Sequence, residues 1–228
     1  MNYELAKRFN KGCTDYHLLQ DGDRILIALS GGKDSLMLLR LLAARSRIYR
    51  PKIQVEAAHV IMDNIPYETD RSYLQQFCDE AGVRLHILHS SFDESTDKRK
   101  TRCFLCAWNR RKTLFSFAVS QGFNKVALGH HMDDILTTFL MNITYEGNRQ
   151  TMQPSLALQH YPITIIRPLC LVSEADIQAE ATQQGFLRQK TPCPYEQATR
   201  RTSMNEVLHQ LESLNPEARY SLWHAIMG

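Results

Sequence analysis

The chain has 228 residues, 43% of them hydrophobic and 22% charged, with a formal net charge of +3. That length and composition suit one buried core, so residues 1–228 are expected to form a single α/β domain, with an amino-terminal segment (1–22) and a helical tail (203–228) as appendages. No apolar run approaches a membrane span and MNYELAKRF lacks a signal-peptide pattern, which argues against membrane and secreted classes; the six cysteines then argue for a reducing, cytoplasmic compartment, where thiols bind metals or do chemistry.

Strand-like runs alternate with helical patterns along the chain. The first run, RILIAL from Arg24 to Leu29, includes a predicted strand over Ile25–Ala28. It turns through Ser30-Gly31-Gly32-Lys33-Asp34-Ser35 into a predicted helix over Asp34–Arg45. A strand that turns through two glycines into a helix makes an anion site. Glycine lets the backbone approach a phosphate, and the first helical N–H groups have no internal partner. Lys33 adds a point charge, and Ser30 and Ser35 add hydroxyls. The spacing is neither that of a Walker A loop nor that of a dinucleotide fingerprint.

A strand over Gln54–Ile61 runs into Ile61-Met62-Asp63-Asn64, and a helix over Glu68–Ala81 stops at Gly82 before a strand over Leu85–His89. Ser91 to Arg102 is polar and reads as an exposed connection. From Asp97 to Lys112 seven basic residues (Lys98, Arg99, Lys100, Arg102, Arg110, Arg111, Lys112) stand against Asp97, a footprint for a polyanion or else a solvated helix face. Within this block Cys103-Phe104-Leu105-Cys106 opens a helix over Phe104–Gln121, where the helix N-terminus and nearby arginines favour thiolates. Cys193 follows much later. Three thiolates are too few for a closed Cys₄ zinc site. An iron–sulfur cluster with one iron not bound by protein, a Cys₃His zinc and a redox disulfide all stay open on spacing. Cys13, Cys78 and Cys170 read as small apolar fillers.

The strand Lys125–Leu128 leads into Gly129-His130-His131-Met132-Asp133-Asp134 and a helix over Asp133–Tyr145. Adjacent carboxylates at a strand end can hold Mg²⁺ on nucleotide phosphates, act as a base or orient substrate, or Asp133 can simply cap its helix. Neighbouring histidines on a strand point to opposite faces, so a joint zinc site is not expected. Asn148 to Tyr161 is irregular. A strand over Thr164–Arg167 follows, then a Ser173-x-x-Asp176 capping box, a helix over Ala175–Gln184, and two short tail helices broken at Pro216. The alternation predicts an open, mainly parallel sheet with helices on both faces. Ligands would bind beyond the carboxyl ends of its strands, where the glycine loop, the Ile61–Asn64 segment and the His-His-Met-Asp-Asp segment converge.

SGGKDS matches the PP-loop of the N-type ATP pyrophosphatases, whose domain is adenine nucleotide alpha hydrolase-like. In that family the loop holds the β- and γ-phosphates of ATP and leaves the α-phosphate open to attack. SGGKDS, CFLCAWNRR, LGHHMDDILTTFLMN, IIRPL and TPCP, in this order, resemble the tRNA 2-thiocytidine synthetase group over nearly the whole chain. The resemblance implies a 4Fe-4S cluster on Cys103, Cys106 and Cys193 with one iron not bound by protein, and tRNA cytidine 32 as substrate. It implies an ATP site from Ser30, Gly31, Gly32, Lys33, Asp34 and Ser35, with His59, Ile61 and Met62 near the adenine and Gly129 and His130 alongside. It implies catalytic roles for Lys33, Asp34, Arg110, Asp133 and Asp134, with Asp133 a candidate Mg²⁺ ligand.

The chemistry so implied is adenylation of the cytosine C2 oxygen, followed by displacement of AMP by sulfur. Arg110, one helical turn after Cys106, would face both cluster and base. The sulfur donor would be a cysteine desulfurase or free sulfide, and a homodimer is compatible with the reading. Many members carry a second Cys-x-x-Cys; here Cys193-Pro194-Tyr195-Glu196 keeps one cysteine, which still suffices for an open-site cluster. A ligase of lysidine-synthetase type, thiolation of another nucleoside or small molecule, and a nucleotide-sensing module are the competing readings.

Overall fold

The apolar runs become a six-stranded sheet because both of its faces are buried, and side chains alternate between those faces along each strand. The computed structural model describes residues 2–65, 69–93, 101–187 and 200–228. In chain order the elements are α1 (Tyr3–Asp15), β1 (Arg24–Ala28), α2 (Lys33–Ser46), β2 (Gln54–Met62), α3 (Arg71–Ala81), β3 (Arg84–Ser90), α4 (Arg102–Ser120), β4 (Lys125–Ala127), α5 (Met132–Tyr145), β5 (Ser155–Ala157), β6 (Thr164–Ile166), α6 (Glu174–Gln183), α7 (Arg200–Leu214) and α8 (Ala218–Met227).

The strand order is β3-β2-β1-β4-β6-β5, with β5 alone antiparallel. Ile25 and Ile27 face one way and join Leu36, Leu39 and Leu42 of α2, Leu74 of α3, Ile177 of α6, and Leu5 and Phe9 of α1. Leu26 faces the other way and joins Val126, Ile165 and the α4 residues Leu114, Phe115 and Ala118. β1 lies between β2 and β4, so the connections leaving it and β4 diverge there. That divergence opens a crevice at the carboxyl ends of these two strands.

The expected alternation is present, with three differences. β5 falls in the stretch expected to be irregular. Its three residues are all exposed, so no buried face imposes an alternating pattern on it, and it is held by pairing Leu156 with Ile165. α1 is a capped helix: the Asn2 side chain accepts from the Glu4 N–H at 2.9 Å. α3 starts at Arg71, after Asp70, whose carboxylate accepts from the Tyr73 N–H at 3.0 Å. Ser173 caps α6 as expected, its hydroxyl accepting from the Asp176 N–H at 3.1 Å, while the Asp176 carboxylate accepts from that hydroxyl at 2.6 Å, so the first half of the expected capping box forms. The tail does break near Pro216, into α7 and α8. No helix among the described residues is long and apolar enough to cross a membrane.

The tail helices close over α5, where Leu208 and Trp223 are buried with Met132, Ile135 and Leu136. Leu208 is 1% exposed. Leu208→Ala is therefore expected to lower unfolding stability by about 2–5 kcal/mol in urea titration, through lost burial and the cavity left behind.

Candidate active site

The turn after β1 is organised by one hydroxyl. Ser35 Oγ lies 3.2 Å from the Ser30 N–H and 3.2 Å from the Gly31 N–H, both of which donate to it, and it donates to the Gly32 carbonyl at 2.9 Å. It also lies 3.0 Å from Ser30 Oγ. Ser35 is thus used to fold the loop, while Ser30 lines the adjacent cavity. Gly31 has φ +90°, in the left-handed region where glycine is at home. Gly32 is the N-cap of α2, and among the described residues no side chain caps the helix, which leaves its N-terminus to an anion. Gly129 packs against this start: a Cβ there would stand 3.1 Å from the Ser35 nitrogen and 3.2 Å from the Asp34 carbonyl carbon.

Lys33 Nζ sits 2.9 Å from Glu174 Oε1 and 3.2 Å from Asp34 Oδ1. Burial works against its charge, but the Glu174 and Asp34 contacts outweigh it and raise the ammonium above its ordinary value. Glu174 opens α6, and its N–H donates to Asp133 Oδ2 at 2.7 Å. The other oxygen, Asp133 Oδ1, accepts from Arg219 Nη1 at 2.6 Å. Burial opposes ionisation of Asp133, yet His131, Arg219 and the Glu174 N–H together hold it well below the usual carboxylate range. Asp134 accepts from the His131 N–H at 3.2 Å and from Arg201 Nη1 at 2.8 Å. His131 lies between three carboxylates, 3.9 Å from Asp34, 3.5 Å from Asp133 and 3.4 Å from Asp134. Burial lowers its pKa, but the three acids outweigh burial and the net shift is upward.

Beside the loop lies a cavity of about 250 Å³ whose walls include Ser30, Ala58, His59, Ala107, Arg110 and His130. The structure therefore brings four of the expected site residues, Ser30, His59, Arg110 and His130, to one space between β1, β2, β4 and α4. His59 is 2% exposed. Its Nδ1 is 2.7 Å from the Leu29 carbonyl, and its Nε2 is buried and makes no hydrogen bond among the described residues. Burial lowers the His59 pKa, the Leu29 carbonyl opposes that, and nearby Arg110 adds to it, so the neutral ring presents Nε2 as an acceptor. A buried acceptor of this kind suits an amino group such as that of adenine. Ile61 and Met62, expected at the same pocket, do not line this cavity; Met62 is 1% exposed and packs into the cluster beneath α4, and the β2 wall is Ala58, His59 and Val60 instead.

His130 is pushed down to about 4 by burial first and then by Arg167, whose Nε lies 3.3 Å from His130 Nδ1. Arg167 is itself buried and lowered to about 10, by burial and then by Arg111. Arg110, Arg111 and Arg167 thus give this edge a strongly positive field, matched to a polyanion. Cys103 is exposed and Cys106 is half-buried against the cluster beneath α4. Both lie in the first turns of that helix, which is capped by the Thr101 hydroxyl at 3.2 Å from the Phe104 N–H. Spaced i, i+3 they share one side of α4, and Ala107 and Arg110 of the same helix line the cavity. Cys193 lies outside the described residues.

Four residues of the site had no signal of their own in the sequence. Glu174 looks like any acidic residue in a first helical turn, yet it meets Lys33 across 141 positions of chain. Arg201 and Arg219 look like solvated tail charges. Arg167 was visible only as a strand end within IIRPL.

The family model described as the PP-loop domain matches residues 1–222. A tRNA-cytidine(32) 2-sulfurtransferase of Stutzerimonas stutzeri is 33% identical over 98% of this chain and 83% of that protein. A protein of the same name from Bdellovibrio bacteriovorus is 37% identical over 80% of this chain and 71% of its own length. The solved structure of the U34-tRNA thiolase NcsA from Methanococcus maripaludis, with its 4Fe-4S cluster, superposes with a TM-score of 0.78 at 24% identity, covering 96% of this chain and 76% of that one. This last likeness speaks for the fold.

Asp133→Asn takes from Arg219 one of its two anions in a site where both side chains are largely buried, leaving Glu212 at 2.6 Å. Stability at pH 7 is expected to fall by about 2 kcal/mol in urea titration, the order for losing a hydrogen bond between charged groups. Because the folded pKa of Asp133 is depressed, its contribution is complete above the unfolded carboxylate value and is lost as pH falls below about 4. The difference between wild type and Asp133→Asn should therefore narrow in that acid range.

Proposed function

The chain belongs to the PP-loop family and within it to the tRNA-cytidine(32) 2-sulfurtransferases, and we propose on that premise that it uses ATP to replace the C2 oxygen of tRNA cytidine 32 with sulfur. The observation that carries the reading is the shared cavity: Ser30 of the phosphate loop, His59, His130 and Arg110 face one space, and Arg110 stands one turn from Cys106 on the same helix.

ATP phosphates would lie across the open N-terminus of α2. Two carboxylates already orient Lys33, and an ammonium has three N–H donors, so one remains for the departing pyrophosphate. The base oxygen attacks the α-phosphorus, pyrophosphate leaves, and the adenylated carbon then accepts sulfur as AMP departs. Arg110, Arg111 and Arg167 counter the charge of nucleotide and RNA backbone.

Cys103 and Cys106 fit a 4Fe-4S cluster in chemistry and spacing, two thiols on one side of a helix's first turns, with Cys193 as the third ligand. When bound, such a cluster supplies a sulfur nucleophile at the iron that the protein leaves free. Free sulfide is already at the oxidation level of that nucleophile; persulfide sulfur from a cysteine desulfurase would reach it by taking two electrons from an external thiol. Magnesium binds one or two carboxylates together with phosphate oxygens and water. Asp34 fits that need, because among the described residues its oxygens are held by the looser contacts to Lys33, 3.2 Å at Oδ1 and 3.4 Å at Oδ2, and it stands at the start of α2 where the phosphates would lie. Asp133 fits it less well, since Arg219 and the Glu174 N–H already occupy both its oxygens. Asp133 and Asp134 hold the loop after β4 in place.

Anaerobically purified protein should contain about four irons per chain and should form 2-thiocytidine in tRNA from ATP and sulfide. Cys103→Ser with Cys106→Ser should abolish both iron and product while ATP still binds; full activity in that double variant would sink the reading and favour a ligase. Glu174→Gln should lower kcat/KM for ATP on the order of tenfold, by loosening Lys33, with iron content and tRNA affinity unchanged.

A further inference from the structure

α4 presents, beside its cavity face, a second surface whose aromatic residues the adenylation and sulfur chemistry do not use. Phe104 and Trp108 stand on it 46% and 58% exposed, although large aromatic rings are usually at least largely covered. Their rings are nearly parallel, with centroids 6.4 Å apart and planes inclined by 10°. Positions 104, 108, 111 and 112 follow i, i+4, i+7 and i+8, so at about 100° per residue they form one stripe along the helix. The stripe reads aromatic, aromatic, Arg, Lys, and Arg111 and Lys112 are exposed. Arg111 also lines the wall of the cavity, so the stripe runs along the cavity's edge, next to the side of the helix that carries Cys103, Cys106 and Arg110.

Two parallel exposed rings followed by two cations match what an unpaired nucleotide offers: a π-face and, one step along, a phosphate. An apolar protein partner would not call for the flanking arginine and lysine. The i, i+4 spacing accounts for the alignment of the two rings, whereas their exposure beside the positive cavity edge is what a stacking surface requires.

We propose that Phe104 and Trp108 form a base-stacking platform for an unpaired nucleotide of the RNA substrate, adjacent to the nucleotide that enters the cavity, with Arg111 and Lys112 holding the intervening backbone. The proposal rests on the sulfurtransferase reading for the identity of the RNA and adds a binding subsite to it. Stacking is sequence-tolerant, so the platform would hold the loop while the cavity selects the base.

The test uses the full chain and a tRNA anticodon stem-loop as the probe. Trp108→Ala should weaken stem-loop binding about tenfold or more, the range measured for removal of one stacking aromatic, and Trp108→Phe should restore most of it. Phe104→Ala should act in the same direction. ATP binding, iron content and the melting temperature should not move in any of these variants. The two tryptophans differ, since Trp223 is buried at 8% exposure, so quenching of the accessible indole by the stem-loop is expected in wild type and lost in Trp108→Ala.

If wild type binds and thiolates the RNA but Trp108→Ala binds it equally well, the platform is wrong and the sulfurtransferase reading stands. If wild type binds no RNA, that reading fails and takes the platform with it. If Trp108→Ala instead abolishes self-association seen by sedimentation, with RNA affinity unchanged, the stripe is a contact between copies of this chain and the proposal is overturned.

Discussion

One buried carboxylate, Asp133, joins the parts of this protein that do different work. Its two oxygens face different elements: Oδ1 takes the Arg219 guanidinium from α8, and Oδ2 takes the N–H that opens α6. The side chain of the residue bearing that N–H, Glu174, then reaches Lys33 at the start of α2. Three helices far apart in sequence are therefore set relative to the phosphate loop through one acid. A buried pair of this kind adds little net stability, because desolvation offsets the Coulomb gain. What it adds here is position, since Asp133 holds the start of α6, from which Glu174 steadies Lys33.

The neighbouring Asp134 repeats the logic with Arg201 of α7. The two acids at the carboxyl end of β4 thus each receive an arginine from the tail helices. A segment that looks peripheral in sequence completes the electrostatics of the site. The opposite end of the sheet has its own buried pair, Lys125 with Asp23 at 2.7 Å, which also donates to the Leu18 carbonyl at 2.9 Å. The strands flanking the crevice are fixed at both ends, and the loops between carry the chemistry on a rigid frame.

Much of this was legible in the sequence because it is local. The glycine turn, the apolar runs, the Ser173 cap and the break near Pro216 each follow from a few adjacent residues, and all appear in the fold. His59, Ser30, Arg110 and His130 were also expected at the site, and they share one cavity. What escaped was long-range. Nothing near residue 174 says that its side chain will meet residue 33, and nothing near 201 or 219 says that those arginines will find buried acids. The three residues of β5 escaped because an exposed edge strand carries no alternation to read. Ser35 lies in the loop, but its hydroxyl, read as a donor to phosphate, donates to the Gly32 carbonyl and accepts from the Ser30 and Gly31 N–H groups.

The contact at Gly129 has a mechanical meaning. With 3.1 Å between the site of a missing Cβ and the Ser35 nitrogen, main chain lies directly on main chain, and no side chain sits between to yield. Side chains in a protein absorb small displacements by changing rotamer, whereas two abutting peptide segments transmit them. The loop after β4 and the start of α2 should then move as one body. Thermal motion would carry the phosphate cradle and the His130 wall together and leave the distance between them nearly constant, which is the dimension that must hold while a nucleotide spans both.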